Sequence, residues 1–261
     1  LFTIFLVAFG LRFAYLIVAT LPTVETLQGD QYGYLQSGRA IQTGLMDTGT
    51  WKFLSDFNPG YPVFIAAVDR FFPDNLFAVR FFQSLAGAIA LLFFYLLAIQ
   101  LLHNHTAFII ALILCAYPAF IRFSGFILSE TIAMFFLLPG LLCTWIAMEK
   151  HSVKFALLGG FAVGLALLFR VTFVTTIPLL MFALAFCPFK ISLLKRLGLS
   201  VAWIAPIAVL TLAWYSIASE HSPPTLGMKG FDIYAHAVTT ATSPEYRGWE
   251  PLDTSNINHE W

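Results

Sequence analysis

The chain has 261 residues, 59% hydrophobic and 11% charged, and its 14 basic and 14 acidic side chains give a formal net charge of zero. A charged fraction about half that of a soluble domain, with a mean hydropathy of +0.81, excludes an ordinary water-soluble globule. Balanced charge, and the lack of a glycine-rich phosphate loop or zinc-type Cys/His spacing, leave no case for nucleic acid as a partner.

The first apolar run, 1–21, is long enough to enter a ~30 Å hydrocarbon core and too long for a cleaved signal peptide. Further runs follow at roughly 76–102, 106–123, 126–148, 155–169, 171–188 and 197–218. They predict an all-α, polytopic transmembrane helix bundle of about seven spans. Read as one helix, 155–188 would be about 50 Å long, too much for one crossing. Split near Arg170, it puts Lys190, Lys195 and Arg196 on the side of Lys150 and Lys154. The positive-inside rule makes that side cytoplasmic. The first outer loop is then 22–75, and 219–261 is also outside.

The chain starts at Leu1 without Met, inside an apolar run, and stops at Trp261 in a polar stretch. A fragment is therefore expected: a transmembrane domain over 1–218 and the start of a truncated outer-facing segment or domain over 219–261. Cys115, Cys143 and Cys187 all lie in apolar runs and read as small buried hydrophobes, not as a disulfide framework or metal site.

The loop 22–75 has structure of its own. Residues 30–42 have helical spacing, with Tyr34, Leu35, Gly38 and Ile41 on one side and Gly44 as a stop. Residues 62–72 repeat the pattern, entered through the tight Pro59-Gly60 turn. Both segments read as amphipathic juxtamembrane helices lying on the membrane surface.

Sorted on this topology, thirteen of the fourteen acids lie outside or at the outer boundary, and Glu149 alone falls inside. A solvated outer surface accounts for most of them. A boundary subset carries the chemistry. Asp30 begins a surface helix, where it can cap the helix and equally serve as a rigidly placed general base. Asp56 precedes a proline-rich corner; it is either a turn residue or a second carboxylate. Glu130 lies near the outer end of the fourth span, where an ionisable group is a functional candidate by default. Arg122 and Arg170 end neighbouring spans on the outer face, against the usual charge bias. Either they pair with Glu130 or they hold an anion such as a lipid phosphate. Lys52 and Arg80 are weaker phosphate candidates. Arg12, midway along the first span, has no partner nameable from sequence.

Five features stand in order: a first span; Gly29-Asp30-x-Tyr32; Asn58-Pro59-Gly60-Tyr61-Pro62; Leu128-Ser129-Glu130; and Gly164-Leu165-Ala166-Leu167-Leu168-Phe169-Arg170. This set resembles the protein-mannosyltransferase-like branch of the GT-C membrane glycosyltransferases over residues 1–218. The resemblance implies inverting transfer of a sugar from a polyprenyl-phosphate donor to an acceptor hydroxyl on the outer face, within the cell envelope. Asp30 matches the catalytic base in the first outer loop, and Tyr32 and Tyr61 support the motifs. Many protein mannosyltransferases carry Asp-Glu where this chain has Asp30-Gln31, so only the aspartate carries over. The acceptor, whether lipid, glycan or protein, stays open. No metal is indicated, although a divalent ion is compatible with the chemistry.

The residues fit that chemistry directly. Arg170, with Arg122 and Lys52, would stabilise the departing phosphate, and Asp30 would take the acceptor proton. Asp56 or Glu130 would orient the acceptor. The expected location is a multi-pass plasma membrane, such as a bacterial inner membrane, with the site facing the outside or periplasm. The alternative is a transporter or lipid flippase, which would place charge near the bilayer midplane along broken helices.

Overall fold

A computed structural model describes residues 1–186 and 192–221. Cys187, Lys190 and the acids and histidines beyond His221 lie outside the described residues, as does nearly all of the expected outer segment. Among the described residues the chain is all-helical, with α1 (Phe2–Val18), α2 (Asp30–Thr43), α3 (Thr48–Phe57), α4 (Gly60–Phe71), α5 (Leu76–Leu101) and α6 (Asn104–Cys115). There follow α7 (Pro118–Gly125), α8 (Glu130–Lys150), α9 (Val153–Phe169), α10 (Thr176–Phe186) and α11 (Leu193–His221).

Over the described residues each apolar run is mainly helical, but fewer of the helices than seven are long enough to cross alone. Three qualify, α5, α8 and α11, or four if α6 and α7 count as one bent span. The run at 106–123 breaks by 48° at Ala116–Tyr117, where Pro118 takes the first turn of α7 and removes an amide donor. α1 and α9 have 17 residues each, a few residues under a full crossing. The outward faces carry Phe2, Leu6, Ile109, Ile113, Phe161 and Leu212, all exposed. Apolar exposure repeated on successive helices is the surface a bilayer solvates, and water does not.

In the loop between α1 and α5 both expected surface helices are present, and α2 stops where Gly44 adopts a left-handed conformation at φ 74°. A third helix, α3, lies between them. Its cap is Asp47, whose carboxylate accepts the Thr50 amide at 2.7 Å. The cap of α2 is Gly29 (φ 56°), not Asp30, which is the first helical residue.

Two packing regimes organise the spans. α5 packs on α1, α6 and α8, with Ile4, Ala8, Ala88, Leu91, Ala111 and Cys115 closing the α1–α5–α6 side. On the other side α8, α9 and α11 meet through small residues. A methyl group on Gly160 would fall 1.9 Å from the Trp203 carbonyl oxygen, so α9 and α11 are in backbone contact there. The Trp203 indole N–H donates to the Thr144 hydroxyl at 2.9 Å, so this buried polar link is satisfied.

Candidate functional site

The end of α1, the start of α5, the turn between α7 and α8 and the end of α9 come together at one end of the bundle. Side chains from α5 tie the segment after α1 to the turn between α7 and α8. Arg80 Nε donates to the Gly125 carbonyl at 2.8 Å and its Nη2 to the Pro22 carbonyl. Gln83 donates to the Phe123 and Phe126 carbonyls at 2.6 and 2.7 Å and accepts the Tyr61 hydroxyl. The carbonyls of Phe123, Gly125 and Phe126 stand at the break between α7 and α8, and in an apolar setting backbone groups must be satisfied internally. Arg80 thus spends two of its guanidinium nitrogens on backbone carbonyls. Tyr61 is fully buried, and burial pushes its phenol well above the usual range; it is a neutral hydrogen-bond donor.

Beside this junction lies a cavity of about 250 Å³. Its wall is apolar, from residues such as Leu91, Phe120, Met134 and Leu138, and among the described residues its charged lining consists of Arg12, Glu130 and Arg170. Arg12 is the residue that sequence reading left without a role. It falls on the i, i+4 stripe Ile4, Ala8, Arg12, Leu16 that α1 buries. Its side chain is 2% exposed and passes Gly87 of α5, where a methyl group would stand 3.1 Å from Nε. Nη1 donates to the Ala8 carbonyl at 2.9 Å, while Nε has no partner. A guanidinium is costly to bury this way.

Glu130 is the first residue of α8, and its Oε1 meets Arg170 Nη1 at 2.8 Å. Its Oε2 is buried and without a partner. The pairing of Arg170 with Glu130, one of two readings open from the sequence, is thus present. Both residues line the cavity.

Arg170 owes its place to the Asn58-Pro59-Gly60 corner. The Asn58 side chain, on a residue with φ 68°, donates to the Leu167 carbonyl at 2.8 Å. At Gly60 a methyl group would lie 2.6 Å from the Leu168 carbonyl oxygen. The corner between α3 and α4 is therefore seated on the last turn of α9, immediately before Arg170.

α2 closes over the same place. The Gln31 side-chain carbonyl accepts the Ile127 amide at 3.0 Å, and the Tyr34 hydroxyl donates to Ser129 Oγ at 3.4 Å. Burial raises the Tyr34 pKa; Ser129 opposes this, Asp30 and Glu130 add to it, and Arg170 opposes it. The phenol thus feels all three charges that the motifs singled out. Asp30 itself is exposed at the start of α2.

The other candidates are elsewhere. Arg122 is exposed with its guanidinium 5.2 Å from the Phe126 ring centroid, and it does not line the cavity. Lys52 is exposed and Asp56 half-buried, both on α3. Tyr32 lines an open groove between α2 and α3 with Gln36, Arg39 and Thr50. Among the described residues no three His, Cys, Asp or Glu side chains stand together as a metal site.

The family model for dolichyl-phosphate-mannose-protein mannosyltransferase matches residues 56–215, more than half of the chain. The match includes Glu130, Arg170 and the Asn58-Pro59-Gly60 corner and begins beyond Arg12 and Asp30. No curated protein and no solved structure matches the chain.

Proposed function

The chain therefore belongs to the dolichyl-phosphate-mannose-protein mannosyltransferase family, membrane glycosyltransferases of GT-C type, and on that footing we propose that it transfers a sugar from a polyprenyl-phosphate donor to an acceptor hydroxyl. The observation that carries this reading is the apolar cavity whose charged lining consists of Arg12, Arg170 and Glu130. Such a chamber suits a ligand with an anionic head and a hydrocarbon tail. Two guanidiniums against one carboxylate leave one positive charge for a phosphate.

In the proposed reaction the acceptor oxygen forms a bond to the anomeric carbon while the bond from that carbon to the phosphate oxygen breaks. The electron pair stays on the phosphate, and the anomeric centre inverts. Arg170 stabilises the charge that develops there, in a setting of low dielectric where fixed charges act strongly. Asp30 receives the acceptor proton at its carboxylate. Its exposed position at the start of α2 supports an acceptor arriving from the aqueous side, and its influence on Tyr34 supports its nearness to Glu130 and Arg170. The acceptor class stays open. Gln31, where many relatives have Glu, is engaged with the Ile127 amide. The site is assigned to the outer face of a plasma membrane, following the distribution of Lys and Arg in the loops.

The test is Asp30→Asn in membranes supplied with polyprenyl-phosphate donors carrying radiolabelled mannose or another hexose. Label should leave the organic-soluble donor about 10²- to 10⁴-fold more slowly than with the parent. An unchanged rate sinks the assignment of Asp30. A transporter would instead move label across sealed vesicles with the glycosidic bond intact.

A further inference from the structure

The proposed transfer changes the charge of the group that the cavity holds. A sugar linked through phosphate to a polyprenol is a phosphodiester with one negative charge. After transfer the phosphate keeps the electron pair of the broken bond and becomes a monoester, with about −1.5 to −2 charges near neutral pH. Two guanidiniums alone would therefore grip the product more tightly than the substrate, and product release would limit turnover.

Glu130 is placed to prevent this. It, Arg12 and Arg170 are the charged residues lining the cavity, and Arg12 is 2% exposed with Nε unpartnered. Glu130 engages Arg170 through one oxygen and buries the other without a partner. An unpartnered carboxylate oxygen beside an anion site is unfavourable unless its charge has a use. We propose that Glu130 is a charge-matching residue: it sets the cavity to one net positive charge, so that the singly charged diester donor is held and the more highly charged monoester product is released.

This inference rests on the polyprenyl-phosphate reading and makes a separate claim about selectivity. Glu130 acts here on the preference between two lipid phosphates, and it takes no proton.

The test uses the full chain in lipid nanodiscs and equilibrium binding of two unreactive probes, polyprenyl phosphate and its methyl diester. The parent protein should bind the diester at least as tightly as the monoester. Glu130→Gln should shift that preference toward the monoester by about tenfold or more, one unit charge being removed within a few ångströms of the ligand. The double variant Glu130→Gln with Arg170→Gln restores one net charge from Arg12, and its preference should return toward the parent value. A damaged fold would lower the number of sites for both probes together, while the ratio of their dissociation constants, read on the folded fraction, still reports the preference. An unmoved ratio in Glu130→Gln overturns the charge-matching role, as does a double variant that keeps the single variant's preference. If the parent protein binds neither probe, the donor reading itself falls, and the selectivity claim with it.

Discussion

The two faces of α8 solve the problem of joining helices in opposite ways. Toward α9 and α11 it meets small residues and a satisfied polar link, Thr144 with Trp203, in a cluster of Leu137, Val163, Leu167, Trp203 and Ile207. Toward α1 and α5 it leaves a cavity, and the charged groups there keep an unpartnered Nε on Arg12 and an unpartnered Oε2 on Glu130. Helices can evidently close without leaving unused polar atoms in this very molecule. The open side therefore differs from the closed one in the polar capacity it leaves unused, and that capacity is what the proposed donor phosphate would engage.

This contrast can be broken from either side. The largest effect is expected on the open face. Arg170→Gln should lower kcat by about 10²- to 10³-fold, the usual loss of one electrostatic contact to a developing charge. Its melting midpoint should move little, because the pair with Glu130 is partly exposed. Steady-state kinetics and a thermal scan on the same preparation separate the two readouts. A large fall in midpoint with retained turnover would make Arg170 structural.

On the closed face the pattern should invert. Gly160→Val pushes a side chain into the Trp203 carbonyl and should cost about 1–3 kcal/mol of stability, as overpacking does. The donor KM of the folded population should stay at the parent value, since Gly160 does not line the cavity. A changed KM with an unchanged midpoint would mean that the two faces are coupled.

The smallest effect is expected at neither face. Asp47 caps α3, and its hydrogen bonds from Thr50 hold its carboxyl below the usual range. Because the folded pKa is the lower one, the cap contributes above the unfolded value near about 4 and is lost as pH falls through the folded value. At pH 6 the Thr50 amide should exchange slowly, and Asp47→Ala should speed that exchange while leaving transfer unchanged. Equal exchange in both proteins would show that the cap contributes nothing.

These differences also explain what the sequence made legible. Helices follow from hydropathy, so every apolar run was readable as one; which runs cross alone depends on breaks such as Pro118, and seven spans became three or four. The helix α3 escaped because Gly49, Lys52 and Ser55 interrupt its apolar pattern. Asp47 before Thr48, and Phe53 spaced four from Phe57, were the available signals. Glu130 and Arg170 were legible because each ends a span on the same side, where charge is conspicuous. Arg12 was visible as a charge but not as part of a site, since Gly87 and Thr131, which line the cavity with it, come from helices distant in sequence. Arg122, on the short helix after the break, lies over the Phe126 ring and apart from the cavity, a placement that its position at the end of an apolar run does not convey.

The turn between α7 and α8 has a further consequence, for the lengths this chain can tolerate. Arg80 and Gln83 hold the carbonyls of Phe123, Gly125 and Phe126 individually, so the stretch from there to Glu130 is measured against α5 residue by residue. Adding or removing one residue within it would turn α8 by about 100°, carrying Glu130 off the cavity wall and away from Arg170. Substitutions can be absorbed one at a time along this stretch, whereas a change of register cannot.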